Sequence, residues 1–165
     1  MEMKPKLQLE KTIMERVLDL LTAVLLISII LDVVMIWKEL PQSIPKHFNM
    51  YGTPDSFGGK ESLIAILIVP TLLFMLFSIL SKFPHTFNFL VKITEENAYD
   101  QYKNAQLLMG WLKFELVLLF VYNDWMTIEI ALGRRGGLGI VPLILELISV
   151  FVTIGVFLLR SYRLK

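Results

Sequence analysis

Four long apolar stretches, separated by polar segments rich in turn formers, dominate the pattern along the chain. They lie at about residues 17–37, 63–81, 95–124 and 138–160. A helix rises ~1.5 Å per residue, so ~20 apolar residues cross a ~30 Å hydrocarbon core. The second stretch, Leu63 to Leu80, contains no charged residue. Several of these stretches lack the polar face that a helix on the surface of a soluble domain requires. The pattern predicts an all-α integral membrane protein, with residues 1–165 forming a single four-helix membrane domain. Pro70 inside the second span predicts a kink there. Trp37, Tyr122 and Trp125 suit interface anchors, while Trp111 falls deeper.

The third stretch is more than a span. Thr94 followed by Glu95, Glu96 and Asn97 reads as a hydroxyl cap with acids in the first turn. The helix is therefore expected to begin in the cytoplasm near Glu95. It can continue toward Leu132 before Gly133-Arg-Arg-Gly-Gly breaks it. Such a helix exceeds the bilayer thickness, so part of it projects or tilts.

Charge gives the chain a direction. With four spans, the N-terminus, the second loop and the C-terminus share one side and carry ten lysines and arginines, against five on the other two loops. The positive-inside rule then puts both termini in the cytoplasm and the first and third loops outside. Lys4, Lys6, Lys11 and Arg16 precede a long first apolar run with no small-residue cleavage site after it, which reads as a retained signal-anchor in the plasma membrane. The net charge of +1 offers no footprint for nucleic acid. Cysteine is absent, which excludes disulfides, thiol catalysis and cysteine–zinc sites.

The first loop, Trp37 to Lys60, contains Pro41, Pro45, Gly52, Pro54, Gly58 and Gly59, which forbid a regular helix and fix several turns. A rigid outer loop of this kind can present His47, Asn49, Gly52, Asp55, Gly58 and Lys60 as a binding set. Read structurally, Asp55 caps a local turn and the glycines only serve the backbone. His47 and His85 fall on opposite membrane sides and cannot share a metal, and His47 with Asp55 alone is too small a ligand set for zinc. No metal or other cofactor is expected. A short echo, Pro45-Lys-His-Phe-Asn49 and Pro84-His-Thr-Phe-Asn88, hints at an old duplication.

The spacing Leu-Pro-x-x-Ile-Pro-x-His-Phe-Asn-x-x-Gly-x-Pro-Asp-x-x-Gly-x-Lys, from Leu40 to Lys60, resembles the bacterial membrane domain of unknown function at the N-terminus of SdpI-type immunity proteins. The segments Phe83-Pro-His-Thr-Phe-Asn and Ile93-Thr-Glu-Glu-Asn-Ala-Tyr-Asp-Gln-Tyr are similar to stand-alone members of that group. The resemblance implies protection against a secreted peptide toxin and relay of its presence to a repressor held at the membrane. SdpI-type proteins carry a further C-terminal membrane domain that has no counterpart in these residues. In this reading the outer loop meets a peptide toxin or envelope ligand. The cytoplasmic loop, with His85, Asn88, Glu95, Glu96 and Asn97, meets a regulator.

Charged residues within the spans need a reason, since each costs ~2.5–3.5 kcal/mol at the bilayer centre on insertion scales. Lys113 and Glu115 sit half-way along the third span and Glu146 half-way along the fourth, at similar depth. Two apart on a helix, Lys113 and Glu115 face nearly opposite sides, so Lys113 is expected to pair with Glu146. Asp32 can meet Asn123 or Asp124. Such a cluster either fixes helix register as a buried ion pair or lines a polar cavity. The second reading makes the chain a small proton-coupled transporter, which four helices could form only as a homo-oligomer. A membrane enzyme ranks third: His47, Asp55 and Lys60 offer acid–base groups, but no nucleophile with a base and an orienter accompanies them.

Overall fold

The computed structural model describes residues 4–165. Helix α1 (Ile13–Ile36) leads into a β-hairpin of β1 (Ser43–Phe48) and β2 (Pro54–Gly59). Helix α2 (Ser62–Leu80) returns, a short 3₁₀ turn (Pro84–Thr86) follows, and α3 (Ala98–Ala131) and α4 (Ile140–Arg163) complete the chain. All four α-helices are long and apolar enough to cross a membrane.

Local chemistry sets the helix ends. Thr12 caps α1 in a capping box: the Glu15 backbone N–H donates to its hydroxyl, and the Glu15 carboxylate accepts from the Thr12 N–H at 2.7 Å. This starts α1 earlier than hydropathy alone implies. The Thr94 hydroxyl accepts from the Asn97 N–H, and Thr94 O accepts from the Ala98 N–H at 3.0 Å. The hydroxyl thus acts as a start signal, with Glu95 to Asn97 forming a turn ahead of the regular helix. At the far end, Gly133 adopts φ +73° and ends α3.

Helix α3 is the axis of the fold, since α1, α2, α4 and β1 all pack on it. At 34 residues it is ~51 Å long, well beyond a ~30 Å hydrocarbon core. The best-packed apolar core lies at the hairpin end, where Ile29, Val33, Leu40, Ile44, Leu63 and Ile128 form one cluster. Most other apolar side chains point outward, as the lipid-facing surface of a bundle does.

The first loop is turn-rich, as its glycines and prolines require, but two of its segments pair into an antiparallel ladder from Ser43↔Gly59 to Phe48↔Pro54, with irregularities on either side of His47. Prolines are tolerated because both strands of a two-stranded sheet are edges. The echo of Pro45–Asn49 at Pro84–Asn88 is not an echo in structure, since one copy is largely strand and the other a 3₁₀ turn.

The hairpin tip is latched to the α3–α4 linker. The Leu138 N–H donates to Gly52 O at 2.8 Å. Gly52 holds φ +75°, and a Cβ at Gly137 would sit 2.6 Å from Gly52 O. Gly137→Ala should therefore push the tip from the linker and cost about 0.5–1.5 kcal/mol, the net worth of the hydrogen bond at this half-buried latch. Gly136→Ala, where a Cβ meets nothing within 4 Å, is the control and should stay within ~0.5 kcal/mol. Thermal unfolding of both variants in detergent checks this.

Candidate functional site

Three polar regions stand out, one on the hairpin and two inside the bundle. On the hairpin, His47 Nδ1 lies 2.5 Å from Asp55 Oδ1, joining the two strands on an exposed face. Asn49 shapes the tip: its Oδ1 accepts from the backbone N–H groups of Tyr51 at 2.9 Å and Thr53 at 3.1 Å. Lys60 stands apart from this face. Its ammonium donates to Trp37 O at 3.0 Å and lies over the Trp37 ring, tying the hairpin base to the end of α1. Gly58 sits beneath the Lys46 side chain. The loop set is thus divided: His47 and Asp55 are presented, Asn49 and Gly52 build the tip, and Gly58 and Lys60 belong to the base. Met50, Tyr51 and Phe57 add exposed apolar surface.

Inside the bundle, Lys113 does not pair with Glu146. Its ammonium donates to Asp19 Oδ1 of α1 and, at 3.1 Å, to Ser78 Oγ of α2, and it lies 5.0 Å from the centre of the Phe74 ring. Lys11 approaches the other oxygen of Asp19. The expected opposition of Lys113 and Glu115 holds. Glu146, however, lies on α4 and so on the side of Glu115, while Lys113 faces α1 and α2.

Glu115 is 5% exposed and faces α4. Its Oε1 accepts from Ser149 Oγ and Thr153 Oγ1, both at 2.7 Å. Its Oε2 and the Oε1 of Glu146 are buried with no hydrogen-bond partner among the described residues. The same holds for both carboxyl oxygens of Asp124, a fully buried residue. Asp124 is eleven residues beyond Lys113, which places it on the same face of α3 about 16 Å further along. Among the described residues, half-buried Asp32 takes part in neither pairing considered for it: Asn123 Nδ2 donates to Leu119 O, and the Asp124 carboxyl oxygens have no hydrogen-bond partner.

Other polar pairs knit α3 to α4 nearer the termini. Gln101 Nε2 donates to Ser161 O and Leu164 O, Ser161 Oγ donates to Gln101 Oε1 at 2.6 Å, and Asn104 Nδ2 donates to Phe157 O at 2.9 Å. A cavity of about 400 Å³ opens beside Asn104, lined also by Phe87, Asn88, Leu108 and Phe157. Of the second-loop residues, Asn88 lines this cavity, His85 lies in the 3₁₀ turn with its ring against Phe83, Asn97 braces the turn before α3, and Glu95 and Glu96 are exposed. Among the described residues, no three histidines or carboxylates gather as a metal site.

Sequence reasoning passed over Asp19, Ser149, Thr153, Gln101 and Ser161. Asp19 was open to detection: Lys11, Glu15 and Asp19 recur every four residues, one stripe of a helix. The α4 hydroxyls leave no mark on a hydropathy profile.

Comparison with known proteins agrees with the placement of the first-loop pattern. Residues 23–74 match a domain of unknown function, DUF1648. The match takes in the second half of α1, the whole hairpin and most of α2. An uncharacterized protein of the archaeon Archaeoglobus fulgidus is 25% identical over 133 residues, covering 70% of this chain and 68% of its own length. No solved structure matches the chain.

Proposed function

We propose that this chain is a multi-pass protein of the plasma membrane with both termini in the cytoplasm, whose hairpin faces outward as the receiving surface for a peptide or other envelope ligand. In this reading it is an SdpI-like immunity or sensing module, and the turn around Glu95 and Glu96 reports to a cytoplasmic partner. The supporting observation is the seating of the hairpin. Ile44 and Leu40 anchor its base in the apolar core, Lys60 ties it to Trp37, and the Gly52–Leu138 hydrogen bond latches its tip. What it presents is a mixed patch: the His47–Asp55 pair beside exposed Met50, Tyr51 and Phe57. A pre-ordered patch with aromatic and thioether groups binds without a large ordering cost.

Two measurements test this. The chain lacks cysteine, so Ser43→Cys and Lys82→Cys report cleanly on sidedness. In intact cells an impermeant maleimide should label Ser43→Cys, and Lys82→Cys only after lysis; the reverse result discards the orientation. Deleting the gene should sensitise cells to a secreted peptide toxin or change expression of neighbouring genes. Wild-type protein should restore the phenotype and a Tyr51→Ala/Phe57→Ala variant should not. A deletion silent in both assays ends this reading.

A further inference from the structure

The seam between α3 and α4 holds two carboxyl groups that the hairpin reading does not use. Glu115 reaches across from α3 and engages Ser149 and Thr153 through one oxygen only. Its second oxygen is buried and unpartnered, as is Oε1 of Glu146 on α4. Glu146 lies three residues before Ser149 and seven before Thr153, which puts it on the same stripe of α4 that engages Glu115. Lys113 cannot neutralise them, being on the opposite face of α3 and engaged with Asp19. Asp124 is nine residues from Glu115, half a rotation around the helix, and also faces away. Among the described residues, the titratable side chains on this seam are thus Glu115 and Tyr122 of α3 and Glu146 of α4; the hairpin tip adds Asn49, which is polar but does not titrate.

The seam is also approached from one end. A cavity of about 100 Å³ at the hairpin tip is lined by Asn49, Gly52, Tyr122 and Leu138 among others. A second cavity, about 210 Å³, is lined by Leu118, Leu119, Tyr122, Pro142 and Glu146. They adjoin, sharing Leu119 and Tyr122. Tyr122 is held at this junction by its hydroxyl, which donates to Leu138 O at 2.9 Å.

We propose that Glu115 and Glu146 form a proton-binding site in the α3–α4 seam, holding one proton between two carboxyls and loaded from the hairpin end past Tyr122. Two carboxylates in one partly buried site repel each other, and a single proton removes that repulsion, so the pair titrates as a unit. The proton comes from a hydronium ion in the water at the hairpin end, whose O–H bond breaks and which is left as neutral water. The proton forms an O–H bond on one carboxyl, and the pair changes from two negative charges to one. The two α4 hydroxyls hold Glu115 Oε1, which leaves Oε2 to face the exchanging proton. This site goes beyond the hairpin reading and stands or falls separately from it.

Infrared spectroscopy of the full chain in phosphatidylcholine liposomes, titrated with pH in D2O, tests the site. The double variant Glu115→Gln/Glu146→Gln should lose a protonated-carboxyl C=O band that the wild type shows, leaving any Asp124 band in place. In each single variant the remaining carboxyl should lose its proton at a pH lower by about one unit or more, because its neighbour's charge is gone. The amide I band in the same spectra verifies that each variant stays helical. Tyr122→Trp should slow the deuterium shift of the band while leaving its titration midpoint in place. A double variant with an unchanged spectrum, or single variants with unshifted midpoints, overturns the shared proton. Unchanged exchange in Tyr122→Trp overturns the route.

Discussion

Asp19→Ala should destabilise the bundle by about 3–5 kcal/mol, the range for removing one partner of a buried ion pair. The reason lies in what it leaves behind. Lys113 is 2% exposed, and with Asp19 gone its ammonium keeps only the Ser78 hydroxyl and the face of the Phe74 ring. The reciprocal change costs less. The Asp19 side chain is 25% exposed and retains Lys11, so Lys113→Met leaves a carboxylate that still has a counter-charge and some solvent. Replacing both with apolar residues of similar size, Asp19→Leu/Lys113→Met, should recover most of the loss, because desolvating an ion pair consumes much of its attraction. A double-mutant cycle from detergent unfolding of the three variants and the wild type measures the coupling. If Asp19→Ala falls within ~1 kcal/mol of wild type, water reaches Lys113 and the pair is not a structural lock.

The same pair shows where sequence reasoning stopped. Hydropathy located α1, α2 and α4 to within a few residues because a long apolar helix leaves a long uniform signal, whereas α3 runs to Ala131, well past the end of its apolar stretch near residue 124. The ends that moved were those governed by specific bonds, such as the Thr12–Glu15 capping box that starts α1 at Ile13. Helical geometry correctly separated Lys113 from Glu115. Assigning their partners needed the rotation of α1 and α4 about their own axes, which the apolar runs do not encode and which only short polar stripes, such as Lys11, Glu15 and Asp19, mark. Ser149 and Thr153 stay invisible for a related reason: a hydroxyl can satisfy its donor on its own helix and becomes a partner only when another helix brings an acceptor. The hairpin was hidden by Pro45 and Pro54, which argue against strands in a larger sheet but not in a two-stranded one. The site residues of the first loop were legible as a group, but not their division into a presented pair, a tip and a base.

That division leads to a second large effect, at Ile44. It is fully buried, on β1, in the cluster formed with Leu40 of the loop, Ile29 and Val33 of α1, Leu63 of α2 and Ile128 of α3. Ile44→Ala should cost about 2–5 kcal/mol, the transfer of the lost methyl and methylene groups plus the cavity left behind. The upper half of that range is favoured because three helices and the loop meet there, so the site collapses poorly. Its neighbour in the same strand, Lys46, is exposed, and Lys46→Ala should stay within ~0.5 kcal/mol. The contrast has a functional edge. If the hairpin receives a ligand because it is held rigid, Ile44→Ala should weaken the immunity or expression phenotype at temperatures where the bundle remains folded, although Ile44 is out of reach of any ligand. Amide hydrogen exchange would locate the loosening: faster exchange confined to residues 43–59 means that the hairpin has lost its seat. Uniformly faster exchange means that the whole bundle has weakened, and unchanged exchange means that the tip latch at Gly52 and the Lys60–Trp37 tie suffice without the core.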